Sequence, residues 1–277
     1  MMLMTLALFA GCNNSQDQEN DVNSTSGQTE KTTENADESW NYIKEKGTLI
    51  VGLDDTFCPM GFHDENGNLV GFDIDLAEAL GEQIGIKVEF QSIDWDAKEM
   101  ELSNKKIDCI WNGMSQTPER VKEMTLSKGY LKNKILIMTT ADATVDTLDD
   151  LKNYQIGIQA KSAALEVLQD NDIYKEIEGN VYEYATYDEV IMDMDAGRLQ
   201  VMIVDQVLGE YKNSKRSEDK KFKLAGTDLG EDLYVIGMRK NETALCEQIN
   251  GALDALKDSG KADEFCQKWF NKNLLAY

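Results

Sequence analysis

Two periods alternate along the chain. Runs in which apolar side chains bunch together or alternate with polar ones read as strands, and runs with apolar residues three and four apart read as helices. The order begins with a short helix over 41–46 stopped by Gly47, then a buried strand over 48–53. A hairpin turn at 65–68 returns as a strand over 70–72, and a helix over 73–84 is closed by Gly85. A strand over 87–91, a helix over 98–104 and a buried strand ending at Trp111 complete this first pattern. After a strand over 134–139 the pattern starts afresh, with a helical turn at 148–152, strands over 155–159, 181–185 and 201–204, and helices over 162–169 and 187–194. Strands over 222–225 and 233–238 bracket a return, and helices over 241–257 and 262–270 end the chain. This alternation predicts α/β architecture with mostly parallel sheets and right-handed crossovers, in two lobes. The last two helices are expected to pack on the first lobe. A lobe that holds both ends of the folded chain needs two interlobe crossings, which permits hinge closure.

Length and charge fit that picture. At about 100 to 200 residues per domain, 277 residues suffice for two lobes. A net charge of −23 argues against nucleic acid and anionic membrane surfaces, both of which demand basic patches. The single histidine, His63, lies among acids in a polar loop and reads as a surface residue, and no cysteine spacing suits zinc. No metal or cofactor is expected, and no phosphate-binding Gly-rich loop is present.

The N-terminus sets the compartment. Residues 1–9 are almost wholly apolar but too few to span a bilayer, which predicts a signal peptide over 1–11. Ala10-Gly11-Cys12 resembles a bacterial lipobox, so Cys12 is the expected lipidation site. Residues 12–39 carry almost no apolar side chains and read as a disordered tether, which would hold the folded part just outside a membrane.

The stretch from Trp111 to Arg120 carries the candidate chemistry. A buried strand runs through Gly113 towards Thr117-Pro118-Glu119-Arg120, where Thr stands at N-cap and Pro at N1. Free N–H groups at such a joint attract anions, and Arg120 offers a planar fork to a carboxylate. The alternative is an ordinary strand-to-helix connection whose Arg meets a neighbouring acid.

Several motifs together carry a family resemblance. Gly-Thr-Leu-Ile-Val-Gly at 47–52, Gly-Phe-Asp-Ile-Asp-Leu-Ala at 71–77, Asp94-Trp95, Ile107-Asp108 and Gly113 to Arg120 occur in order and at family spacing. Over residues 47–271 the chain is similar to the solute-binding proteins of polar amino acid ABC transporters, bacterial extracellular family 3. That resemblance implies a periplasmic-binding-protein-like type II fold, two α/β lobes joined by two crossing segments. Lobe 1 is expected over 40–137 plus 231–277, and lobe 2 over 138–230.

A bound zwitterion needs donors for its carboxylate and an acid for its ammonium. The resemblance assigns Gly113, Ser115 and Arg120 to the carboxylate. The N–H of Ser162 or Ala163, at the start of a lobe-2 helix, is a further candidate donor, although Ala160-Lys161-Ser162-Ala163 departs from the family pattern there. It assigns Asp205 to the ammonium, although capping of the following helix is a second role for that residue. Phe57 and Trp95 fall at wall positions, with Trp111 a third. Asp54 and Gln159 are placed to read the ligand's side chain, and they suit a basic amino acid first, then glutamine or cystine. The implied protein is not an enzyme. It is a monomeric, lipid-anchored receptor on the extracytoplasmic face of the cell membrane, handing an amino acid to an ABC permease and its ATPase. Two alternatives are an enzyme of the same fold, such as a dehydratase of cyclic amino-acid-like acids, and a sensing ectodomain acting through a partner. For the remaining cysteines, a Cys246–Cys266 bridge, a Cys58–Cys109 bridge and free buried thiols stay open.

Overall fold

The computed structural model describes residues 37–277, so the expected signal peptide, Cys12 and nearly all of the tether lie outside the described residues. The first half begins with α1 (Ser39–Lys46), whose C-cap Gly47 adopts φ 72°, and β1 (Thr48–Leu53). A small antiparallel sheet follows from β2 (Thr56–Phe57), β3 (Gly61–His63) and β4 (Leu69–Val70), and then α2 (Phe72–Ile84) ends at Gly85. Next come β5 (Lys87–Ser92), α3 (Lys98–Ser103), β6 (Cys109–Ser115), α4 (Pro118–Glu123) and β7 (Met124–Leu126). β8 (Leu131–Thr139) leads into the second half: β9 (Ile156–Gln159), α5 (Ala163–Gln169), α6 (Tyr174–Ile177), β10 (Val181–Tyr184), α7 (Tyr187–Asp195), β11 (Val201–Asp205) and α8 (Gln206–Ser214). β12 (Lys223–Arg239) returns, and α9 (Thr243–Asp258) and α10 (Lys261–Phe270) finish the chain.

The main sheet runs β10-β9-β11-β8-β12-β6-β1-β5, with β7 also on β12. Within each half the neighbours are parallel, β5-β1-β6 in one and β10-β9-β11 in the other. β8 and β12 are antiparallel to their neighbours and to each other, and they carry the chain between the halves. The return expected as two short strands is one 17-residue strand, because pairing with β8, with two register shifts, continues through the polar middle from Asp228 to Leu233. The strand expected at 70–72 stops at Val70, since Phe72 already begins α2.

Burial explains the layering. On β11, Met202 and Val204 enter a large core that also holds Leu49, Phe72, Trp111, Tyr234 and Leu253, while Val201 and Ile203 enter a second core with Ile156 and Leu165. On β6, Cys109 and Trp111 face the large core, and Ile110 and Met114 face a third one with Trp95 and Leu102. Successive side chains of a strand point to opposite faces, so a strand covered on both faces must be apolar throughout. That is why these strands read as continuous apolar runs. The terminal helices α9 and α10 pack on α1 and α2, as expected. Cys58, Cys109, Cys246 and Cys266 are all free and buried, and neither bridge is formed.

Candidate functional site

The expected site residues gather where the carboxyl ends of β1, β6, β9 and β11 meet. Asp54 follows β1 directly, is buried, and accepts hydrogen bonds from the Thr56 N–H at 2.9 Å and the Thr56 hydroxyl at 2.6 Å. From the other half, Gln159 at the end of β9 donates to Asp54 Oδ2 at 2.9 Å and to the Ala185 carbonyl at 2.9 Å. Burial raises the Asp54 carboxyl above its ordinary range, against the pull of these donors.

Gly113 shows why this joint needs a glycine. Its φ is 55°, and a Cβ there would stand 3.0 Å from both the Phe57 and Tyr234 rings and 3.2 Å from Met60. Its N–H donates at 2.7 Å to Asp73 Oδ2, which also accepts from the Tyr130 hydroxyl at 3.0 Å. Asp73, fully buried at the start of α2, is pushed up to about 7 by that burial. Phe57 also faces Tyr187 of the other half at 6.3 Å between ring centroids.

The turn differs from the expected one. β6 stays a strand through Gly113 to Ser115, and two backbone donors of the joint are already engaged: the Gly113 N–H by Asp73 and the Gln116 N–H by the Leu233 carbonyl. Thr117 caps the short helix α4 by accepting from the Arg120 N–H at 3.2 Å, and Pro118 is its first residue, as expected. The Ser115 hydroxyl is not a free donor either, since it donates to Asp232 Oδ2 at 2.7 Å. The side-chain donor that the joint offers to an anion is therefore Arg120. Its side chain is 3% exposed; Nη1 donates to the Ser115 carbonyl at 2.8 Å, and Nη2 reaches the Lys161 carbonyl at 3.3 Å and Glu166 Oε1 at 3.2 Å. Among the described residues Nε has no partner. The alternative reading, an Arg that meets a neighbouring acid, is thus present in Glu166, but the guanidinium is buried and one donor remains open.

Ser162 is the N-cap of α5, accepting from the Leu165 N–H at 3.2 Å and donating to the Gln159 carbonyl at 2.7 Å. Just before it, Lys161 adopts φ 55°, turning its carbonyl towards Arg120 and towards Lys98 Nζ at 3.2 Å. Lys98 is 1% exposed, lies 4.9 Å over the centroid of Trp95, and is pushed down to about 8 by burial and by the neighbouring Arg120. A cavity of about 480 Å³ is lined by Lys98, Arg120, Lys161 and Glu166 among others.

At the far end Asp205 is the last residue of β11. Its backbone caps α8 but its carboxylate does not; instead Oδ1 accepts from Asn133 Nδ2 at 2.6 Å and from the Tyr234 hydroxyl at 3.0 Å. Burial, reinforced by Asp232, pushes Asp205 up to about 7. Asp232 accepts from the same Asn133 nitrogen at 2.8 Å, and burial raises it too.

Phe57 and Gly113 are thus in contact, as are Asp54 with Gln159 and Ser115 with Arg120, while Asp205 joins through Asn133 and Asp232. Trp95 enters through Lys98, whereas Trp111 packs on Tyr130 in the core at 6.1 Å between centroids. Sequence reasoning missed Lys98, Asn133, Asp232 and Tyr234. The signal available for Asp232 was an acid immediately before the apolar run 233–238.

Two α/β halves joined by two crossing strands, with polar groups converging at their facing strand ends, define a periplasmic-binding-protein-like type II fold. The chain belongs to the bacterial extracellular solute-binding proteins, family 3, which it matches over residues 49–272. It is 31% identical over 240 residues to the lysine/arginine/ornithine-binding periplasmic protein of Escherichia coli (strain K12), covering 84% of this chain and 92% of that one. It is 28% identical to the L-cystine-binding protein TcyJ of the same strain, over 84% of this chain and 86% of that protein. A solved ABC uptake transporter substrate binding protein from Streptococcus pneumoniae with bound histidine superposes with a TM-score of 0.76 at 32% identity, covering 87% of this chain and 99% of that one. These relatives are named as binding proteins. No helix among the described residues is long and apolar enough to cross a membrane.

Proposed function

We infer that this protein is an extracytoplasmic receptor that binds one amino acid in a cleft between two lobes and delivers it to an ABC importer. The observation that carries the reading is a separation of charge. A buried guanidinium, Arg120, and a carboxylate pair, buried Asp205 with half-buried Asp232, face the same region without being ion-paired to each other among the described residues. A zwitterion offers each a partner, its carboxylate at Arg120, whose Nε is open, and its ammonium at Asp205, and so offsets the desolvation of each. The lobes are taken as 40–137 with 231–277, and 138–230. Phe57 and Trp95 wall the cleft, Gly113, Ser115 and Ser162 shape the carboxylate end, and Asp54 with Gln159 reads the side chain. An acid and an amide there favour a basic ligand, with glutamine or cystine next, and the names of the relatives agree with that range. Lipidation at Cys12 would keep a monomeric receptor at the cell membrane beside its permease and ATPase.

Titrating the protein with each amino acid and with cystine, followed by heat release, tests the reading: one or a few ligands should bind, and binding of none would overturn it. Arg120→Ala should weaken that binding at least a hundredfold, since it removes a charge-assisted partner from a buried carboxylate. Retained affinity would place the carboxylate elsewhere.

A further inference from the structure

Asp232 has a geometry that a plain structural acid does not need. It lies in the middle of β12 and Asp205 at the end of β11, yet the two carboxylates accept from one nitrogen, Asn133 Nδ2, at 2.8 and 2.6 Å. An amide nitrogen carries two protons and no net charge, so it can bridge two carboxylates without neutralising either. The groups that face the pair are few. Ser115 donates a neutral hydroxyl to Asp232, and Tyr234 donates another to Asp205. Tyr187 also faces Asp205, and burial holds both phenols far above neutral pH. Arg120 acts on the pair from α4 without an ion-pair contact, being engaged with the Ser115 carbonyl and Glu166. Glu231, the next residue along β12, is exposed and paired with Lys134 at 2.8 Å. Asp232 is half-buried and lines an open pocket with Lys122 and Lys132, but among the described residues no cation is ion-paired to either carboxylate, and two like charges joined through one neutral amide keep a proton.

We propose that Asp205 and Asp232 share one proton in the ligand-free protein, and that the ammonium of the bound amino acid displaces it into solvent, so that uptake of ligand releases a proton. This rests on the amino-acid reading above and adds Asp232 as a second acid of the ammonium site. Its consequence is a sign. Below neutral pH the ligand competes with the shared proton, so affinity falls about tenfold for each unit of pH; above it the pair is already ionised and affinity levels off. The ligand's ammonium keeps its charge throughout this range.

Calorimetric titration of the full-length protein with L-arginine, L-histidine, L-glutamine and L-cystine selects a ligand. That ligand is then titrated at pH 7 in phosphate and in Tris, whose ionisation heats differ. The expected result is release of roughly half to one proton per ligand at pH 7, shrinking towards none by pH 8.5. Asp232→Asn keeps an oxygen for Ser115 but leaves Asp205 alone with its burial, and should reduce the release at pH 7 and move the pH at which affinity levels off downwards; an unchanged release would remove Asp232 from the proposal. Tight binding by the wild-type protein with no proton release at pH 6 to 8 would overturn the proposal while leaving the amino-acid reading standing. Absence of binding to all four would remove both. Should Asp232→Asn not fold, the two-buffer measurement on the wild-type protein decides alone.

Discussion

The β6–α4 and β9–α5 joints do the same thing with different materials. Each is a buried strand that passes a residue at φ 55° and enters a short helix capped by a hydroxyl, Thr117 in one and Ser162 in the other. In β6 that residue is Gly113, enclosed by Phe57, Tyr234 and Met60. After β9 it is Lys161, whose side chain is exposed while its carbonyl meets Arg120 and Lys98. One backbone conformation therefore selects two residue types, and the difference is packing. Where three side chains crowd the Cβ position the glycine is obligatory. Where solvent surrounds it, a side chain is tolerated for the cost of the left-handed conformation alone, about 1 kcal/mol.

The largest effect expected from breaking this contrast is at Gly113. Gly113→Val adds a branched side chain in the left-handed region and against two rings, and should destabilise the protein by about 3 kcal/mol or more. Urea denaturation measures that loss, and ligand affinity should fall with it because Phe57 is displaced. The same substitution at Lys161 meets no crowded ring and should cost less than half as much; equal losses at both positions would refute the packing argument.

Asp73 comes next. It holds the Gly113 N–H and the Tyr130 hydroxyl, and Asp73→Ala would leave two buried donors unpaired, for a loss of about 2 to 4 kcal/mol in the same assay. Asp73→Asn keeps one acceptor oxygen and should lose less.

The acids of this region also set a pH dependence. Asp54, Asp73, Asp205 and Asp232 are all raised by burial, Asp73 and Asp205 to about 7. In the window from about pH 4 to about pH 7 the folded chain holds protons that the unfolded chain has lost, so stability falls as pH rises through it. His63, raised by Asp55, acts in the same direction near neutrality, while Asp37, lowered to about 2, matters only in strong acid. The ligand-free protein should melt several degrees higher at pH 5.5 than at pH 8. Saturating ligand should shrink that difference, because a bound ammonium favours the ionised pair.

Much of this was legible in the sequence, for a physical reason. Strands buried on both faces and helices stopped by Gly47 and Gly85 leave strong local signatures, and the Thr117-Pro118 helix start is read from two residues. The single span of β12 was not legible, because its polar middle is held by pairing with β8 and carries no apolar pattern. The site divides the same way. Arg120 lies in a recognisable motif and Asp205 at a strand end, whereas the occupation of the Ser115 hydroxyl depends on Asp232, 117 positions away. Lys98 was hidden for another reason, since a lysine in a charged helix gives no sign that it will be buried beside Trp95.

The smallest effect sharpens the comparison most. Lys161→Gly removes the side chain from a left-handed position without touching the carbonyl that Arg120 and Lys98 use. The folded state gains relief of about 1 kcal/mol, and the unfolded state gains part of that back in chain entropy, so a net stabilisation of roughly 0.5 kcal/mol is expected. For a protein of this size that raises the melting temperature by about 1 to 2 °C. Affinity should stay within about twofold of the parent, because the contacts at this joint are made by backbone and by the Ser162 cap. A large drop in affinity instead would mean that the Lys161 ammonium, and not its carbonyl, is what the second half contributes at the carboxylate end.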